Sequence, residues 1–265
     1  MEPELLVERV EDGVALLTMN RPEQLNALGG DMLPLLLEAL EAVATDGEVG
    51  CVVLTGAGRG FCAGGDMKAR ATGERPPPAS PEAGADALRA RMECSRLLHE
   101  MPKPTLAMLN GVAAGAGMAL ALACDMRIAG ESARMTTAFA KMGFSGDFGG
   151  HWFLSRLVGP ARARELYFTS EALDSARMAA LGLANRVVPD EQLRAETETL
   201  ARQLGQGPRV AWRYMKRNMK VAEEGTLADA LDAEAMGMMR CQQTEDHAEA
   251  LRAFMEKRPP VFRGR

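Results

Sequence analysis

Three segments of the chain carry residues whose types and spacing could do chemistry. Arg59-Gly60-Phe61-Cys62-Ala63-Gly64-Gly65-Asp66 and Asn110-Gly111-Val112-Ala113-Ala114-Gly115-Ala116-Gly117 are built from small residues. Such a main chain can approach a bound group closely and present N–H donors to an oxygen that gains negative charge. Gly143-Phe144-Ser145-Gly146-Asp147, followed by Gly149-Gly150, adds a carboxylate. Facing an apolar pocket, that carboxylate would have a raised pKa and exchange protons near neutral pH. Asp147 also precedes an expected helical stretch from His151 to Leu157, where an aspartate is a good N-cap, so both roles stay open.

Other chemistries fail on spacing. Gly56-Ala57-Gly58 is followed by Phe61, and Gly115-Ala116-Gly117 by Leu120, where a dinucleotide fingerprint needs its third glycine. Neither cluster carries the Lys-Ser/Thr of a P-loop. The near match to the nucleophile elbow G-x-S-x-G ends in Asp147 where glycine is required. His99, His151 and His247 lie far apart without i, i+4 partners, so no metal site is expected. Cys51, Cys62, Cys94, Cys124 and Cys241 are an odd set without a close ligand pair, and MEPELLVERV lacks a signal-peptide core; both point to a reducing, cytoplasmic setting. With 31 Lys+Arg against 36 Asp+Glu the net charge is −5, which provides no basic field for nucleic acid. Gly111 to Cys124, the longest weakly polar run, falls short of the ~20 residues of a membrane helix. Neither nucleic acid nor membrane is an expected partner.

The elements that must position these segments follow from hydrophobic pattern. Leu5–Val10 and Val14–Met19 read as a hairpin around Glu11-Asp12-Gly13. Asp31 can cap a helix with Leu36, Leu37, Leu40 and Val43 on one face, and Cys51–Leu54 reads as a buried strand. The logic repeats in a helix from Asp86 to His99, a strand from Thr105 to Leu109, an Ala-rich helix from Ala116 and a strand around Met126–Ala129. Strands alternating with helices imply mainly parallel sheets covered on both faces. Thr72 to Ala85, with Pro76, Pro77, Pro78 and Pro81, is expected to be irregular and to form a lid. From Pro160 onward the pattern is almost wholly helical, with one stripe at Leu193, Thr197, Leu200 and Leu204 and another at Leu227, Leu231, Ala235 and Met238. The 265 residues thus divide into an α/β core at 1–190 and a helical C-terminal region at 191–265.

In ββα repeats and at this separation, the two small-residue segments closely resemble the crotonase family, also called the enoyl-CoA hydratase/isomerase family. The resemblance runs from Asn20-Arg21-Pro22 and Asn26-Ala27-Leu28 to the tail Phe254-Met255-Glu256-Lys257-Arg258. It implies a spiral of mainly parallel sheets, with residues 1–190 as the acyl-CoA-binding catalytic core and 191–265 as a helical region for trimerisation and for covering coenzyme A. An acyl-CoA thioester is the implied substrate, with coenzyme A part of it and no separate cofactor. Homotrimers or dimers of trimers are the implied assembly.

Matching motif to motif puts the two oxyanion donors on Ala63 and Ala116. Arg59, Asp66, Met67, Phe254 and Lys257 match places that accompany coenzyme A, with Gly64 and Gly115 beside the donors. His151 and Trp152 are expected in the pocket wall. The family's hydratases carry two glutamates at positions that here are Ala119 and Phe139, neither able to move a proton, and Phe139 becomes a substrate contact. Asp147 matches an aspartate found in several isomerases and a dehalogenase of the family. The expectation is hydration of an enoyl-CoA, resembling a branch that includes isohexenylglutaconyl-CoA hydratase. The alternatives are double-bond isomerisation with Asp147 as single acid/base, and acyl-CoA binding without turnover.

Overall fold

The computed structural model describes residues 3–73 and 77–265. The chain opens with the expected hairpin, β1 (Leu5–Val10) against β2 (Val14–Met19), with every residue of β2 buried. Helix α1 (Met32–Thr45) buries Leu36, Leu40 and Val43, as the sequence implies. Asp31 stands at its N-cap, but its side chain makes no capping bond. Strand β3 (Cys51–Gly56) joins β2 in parallel, and the turn after it leads to a short strand, β4 (Gly60–Cys62).

Helices α2 (Met67–Ala71), α3 (Pro81–Arg91) and α4 (Glu93–Glu100) follow. The segment expected to be irregular therefore gives way to helix at Pro81. Ser80 accepts a hydrogen bond from the Ala83 N–H, and Pro81 occupies the first turn, where a missing N–H costs nothing. The rest of the lid expectation falls partly on 74–76, outside the described residues.

The second repeat contains β5 (Thr105–Leu109), β6 (Val112–Ala114), α5 (Ala116–Ala123), β7 (Met126–Gly130) and β8 (Arg134–Thr136). All residues of α5 are buried, which is why its sequence is alanine-rich without a polar face. Beyond it come α6 (Gly150–Thr169), β9 (Leu173–Asp174), α7 (Ser175–Ala180) and β10 (Arg186–Val188). Helix α6 breaks at Gly159-Pro160, where proline removes a backbone donor. The stretch after Pro160, expected to be helical, thus contains two short strands. Helices α8 (Leu193–Gly205), α9 (Arg209–Glu224), α10 (Leu227–Gln242) and α11 (Glu245–Glu256) close the chain.

The strands form two sheets, one ordered β1-β2-β3-β5-β7-β10 and the other β4-β6-β8-β9. All pairings are parallel except β1/β2 and β8/β9. The larger core lies around the sheets, α1, α4, α5 and α6, while α8 covers the outer face of the six-stranded sheet through Leu193 and Ala201. On α10 the stripe of Leu227, Leu231 and Met238 points outward, and the helix packs on α9 instead through small positions such as Gly237.

One polar cluster ties the helical region to the sheets. Lys216 of α9 donates to Asp125 Oδ2 at 2.8 Å and to the carbonyls of Leu98 and Lys103, while Asp125 also accepts from the N–H and hydroxyl of Thr105. Lys216→Met is expected to lower unfolding stability by about 1.5–3 kcal/mol, the scale of a charge-assisted hydrogen bond, as measured by denaturant titration.

Candidate active site

The site is built where the two sheets hand over to α5. Asn26, fully buried, donates through Nδ2 to the carbonyls of Ala57 and Gly60, and Asn110 donates to those of Gly56 and Gly58. These amides hold the turn that feeds β4. The chain then pairs with the segment after Arg21: the Ala63 N–H donates to the Leu25 carbonyl at 2.9 Å, and the Leu28 N–H to the Gly64 carbonyl at 2.7 Å. Asp66 accepts from the Ala69 N–H as N-cap of α2 and from Arg21 at 3.0 Å, contacts that hold its carboxyl below the usual range.

This pairing decides which donors are free. The Ala63 N–H, expected to face the substrate, is consumed by Leu25 and is not available. Gly65, two residues on, has an exposed main chain with open space where a Cβ would stand, and its N–H has no partner among the described residues. Ala116 is the first residue of α5, where the N–H groups have no intrahelical acceptor and the helix dipole is positive. Two glycines let these donors approach. Gly64 has φ +86°, and a Cβ there would lie 2.7 Å from the Ala114 carbonyl oxygen and 3.4 Å from the Ala116 nitrogen. At Gly117 a Cβ would lie 2.2 Å from the Cys62 carbonyl oxygen, so only glycine lets α5 seat against β4.

Gly65 and Ala116 line one cavity of ≈ 310 Å³, together with Ala63, Gly64, Met67, Gly115, Phe139 and Asp147. Asp147 is the one carboxylate among the described residues lining it. Burial pushes its pKa up to about 6, with Arg70 pulling weakly the other way. Its Oδ1 makes no hydrogen bond to any described residue. The cap of α6 is Gly149, without a side-chain capping bond, so the carboxylate does not serve as the helix cap the sequence allowed. Ala138 (φ 58°) and Phe148 (φ 51°) hold left-handed backbone at the two ends of this segment, a conformation that costs a non-glycine residue energy and concentrates at functional sites.

The remaining expected contacts are distributed. His151 lines a neighbouring cavity of ≈ 420 Å³ shared with Phe139, and its ring stacks on Tyr167 at 3.9 Å. Trp152 is a correction: it lies in neither cavity but packs edge-on against His99 with Arg156 over its ring. Successive helical residues point about 100° apart, so with His151 turned to Tyr167 its neighbour faces α4. Arg59 is exposed on the turn before β4 and does not line the cavity. Phe254, 80% exposed, and Lys257, at the end of α11, do not line it either. Arg70 and Gly65 are among the lining residues that sequence reasoning missed, as are Leu88, Thr137, Ala138, Met142, Phe144, Ser145 and Gly146.

Two free main-chain N–H groups and one carboxylate of raised pKa on the same cavity can stabilise an oxygen that gains charge while a proton moves nearby. Among the described residues no group of three or more His, Cys, Asp or Glu could hold a metal ion, and no helix is long and apolar enough to cross a membrane.

Comparison with known proteins agrees with this chemistry. A family profile described as enoyl-CoA hydratase/isomerase matches residues 9–265. The 1,2-epoxyphenylacetyl-CoA isomerase of Escherichia coli (strain K12) is 39% identical over 262 residues, covering 99% of both chains. The mitochondrial methylglutaconyl-CoA hydratase of Mus musculus is 35% identical over 272 residues, covering 99% of this chain and 84% of that protein. The crystal structure of an enoyl-CoA hydratase from Bacillus anthracis superposes with a TM-score of 0.92 at 30% identity, covering 99% of this chain and 100% of that one.

Proposed function

This chain belongs to the enoyl-CoA hydratase/isomerase family and is an enzyme of that type; within the family, we propose that it shifts the double bond of an enoyl-CoA thioester, with Asp147 as the single proton carrier. The observation that supports this reading is that, among the described residues, one carboxylate and no second shares a cavity with the free N–H groups of Gly65 and Ala116. The thioester oxygen accepts from both. The Asp147 carboxylate takes a proton from the carbon next to the thioester, that C–H pair delocalises onto the oxygen as an enolate, and the proton returns two carbons along as the double bond moves. Neither Ala119 nor Phe139 supplies the carboxylate that the two-glutamate hydration mechanism uses to hold a water.

Hydration is the second reading, favoured by the 35% identity to methylglutaconyl-CoA hydratase. It requires Asp147 to serve both as base toward water and as acid toward carbon. Incubating a panel of enoyl-CoA thioesters, branched glutaconyl types included, in D₂O enriched in ¹⁸O separates the readings. A shifted alkene without ¹⁸O is the expected result, carrying deuterium only to the extent that the Asp147 proton exchanges with solvent before it returns, and a 3-hydroxyacyl-CoA carrying ¹⁸O selects hydration. Tight binding without turnover across the whole panel selects a binding protein and overturns both.

The exposed stripe on α10 and the exposed Phe254 and Met255 on α11 support assembly into trimers or pairs of trimers, in which a neighbouring copy brings Phe254 and Lys257 to the coenzyme A end.

A further inference from the structure

Tyr167 of α6 lines the ≈ 420 Å³ cavity together with Phe139 and His151, and Phe139 and Gly146 connect it to the cavity of Gly65, Ala116 and Asp147. Its ring lies parallel to that of Phe139, with centroids 6.1 Å apart and planes within 3°. Its hydroxyl lies 2.5 Å from the point a Cβ on Gly150 would occupy, and the Cβ of Ala119 lies 3.4 Å from the same point. The ring edge sits against Gly146, the neighbour of Asp147, where a Cβ would come within 3.2 Å of Cε1. His151 stacks on the ring at 3.9 Å and fixes its plane.

The residue is 7% exposed, and its hydroxyl makes no hydrogen bond to any described residue. Burial and the charge of Asp147 push the phenol pKa up, so it remains a neutral donor. A buried hydroxyl without a partner costs about 1–3 kcal/mol, and phenylalanine would fill the same space without that cost. Packing therefore does not account for the oxygen.

We propose that Tyr167 is a specificity-determining residue whose hydroxyl donates a hydrogen bond to an oxygen in the acyl chain, beyond the thioester carbonyl, so that the site selects acyl groups bearing an ether, hydroxyl or carbonyl oxygen over pure hydrocarbon. A site built to bond a polar group rejects the analogue that lacks it, because the hydroxyl is then left unpaired. This inference rests on the acyl-CoA reading above but does not require that Asp147 move the proton.

The test uses saturated thioesters that cannot react, in matched pairs differing by O for CH₂: methoxyacetyl-CoA with butanoyl-CoA, 3-methoxypropanoyl-CoA with pentanoyl-CoA, and 4-methoxybutanoyl-CoA with hexanoyl-CoA. Affinities are measured by calorimetry for wild type and Tyr167→Phe. In at least one pair the variant is expected to lose about 10-fold in affinity for the ether while the hydrocarbon changes by less than about 2-fold. The melting temperature should not fall, because the lost oxygen makes no protein hydrogen bond. Tight binding with an unchanged ether-to-hydrocarbon ratio in all three pairs, or equal losses for both members accompanied by lower melting, overturns the proposal and leaves the acyl-CoA reading standing. Failure of every thioester to bind the wild type overturns both.

Discussion

Asp147→Asn is expected to lower kcat by about 10²–10⁴ on the true substrate, the usual scale for general acid–base catalysis, with acyl-CoA affinity little changed. Asparagine keeps the size and removes only the ionisable group. The pH dependence gives an independent reading. Burial lifts this carboxyl from the ordinary value of 3.8 to about 6. Activity that needs the carboxylate as base should therefore rise as pH rises through about 6, and the asparagine variant should lack that limb.

Stability should move in the opposite direction. Between the unfolded value and about pH 6 the folded chain holds the proton more tightly than the unfolded chain. Wild type thus loses stability across that window as pH rises, whereas the variant is spared. Turnover and melting measured together across pH 4–8 check both statements. A folded variant with near-full kcat would transfer the role to His151, Glu131, Lys141 or water.

Gly65→Pro should cost about 10²–10³ in kcat, the loss seen when one oxyanion donor is removed, provided that the chain folds and assembles as wild type. Proline deletes the N–H, and Gly65→Ala separates that loss from sterics, since a Cβ at this position meets nothing within 4 Å. The alanine variant should retain most activity, and so should Ala116→Gly, because both keep the main-chain donor. Equal turnover by folded Gly65→Pro and wild type would remove Gly65 from the oxyanion pair. Substituting proline at Ala63 would instead break the bond to Leu25, and its damage would appear in stability.

The distinction between Ala63 and Gly65 illustrates what was legible in the sequence. Strands β2, β3 and β5 and helices α1 and α5 could be read from local pattern, because burial periodicity fixes them, whereas Ala116 as a donor rests on the resemblance of its motif. Within Cys62-Ala63-Gly64-Gly65-Asp66 local pattern does not say which N–H stays free. That depends on Leu25 and Leu28, which lie almost forty residues earlier and come into register only in the fold. Pro81 was legible as a breaker but acts as a starter, since its role turns on Ser80 before it. Strands β9 and β10, of two and three residues, are too short to show alternation. Nothing in the local pattern singles out Tyr167, and only the position of its oxygen in three dimensions distinguishes it.

The two kinds of functional group differ in how they can be inherited. The proposed donors at Gly65 and Ala116 belong to the peptide chain itself, so nearly every codon change at those positions leaves an N–H in place, and only proline abolishes it. The proposed proton carrier is a single side chain on a glycine-strung segment between Gly143 and Gly150, where any substitution rewrites it. Drift in this gene would therefore tend to preserve the capacity to stabilise a thioester enolate while exchanging what is done with that enolate. A descendant with a new reaction on the old class of substrate lies closer in sequence space than one that has lost the substrate class altogether.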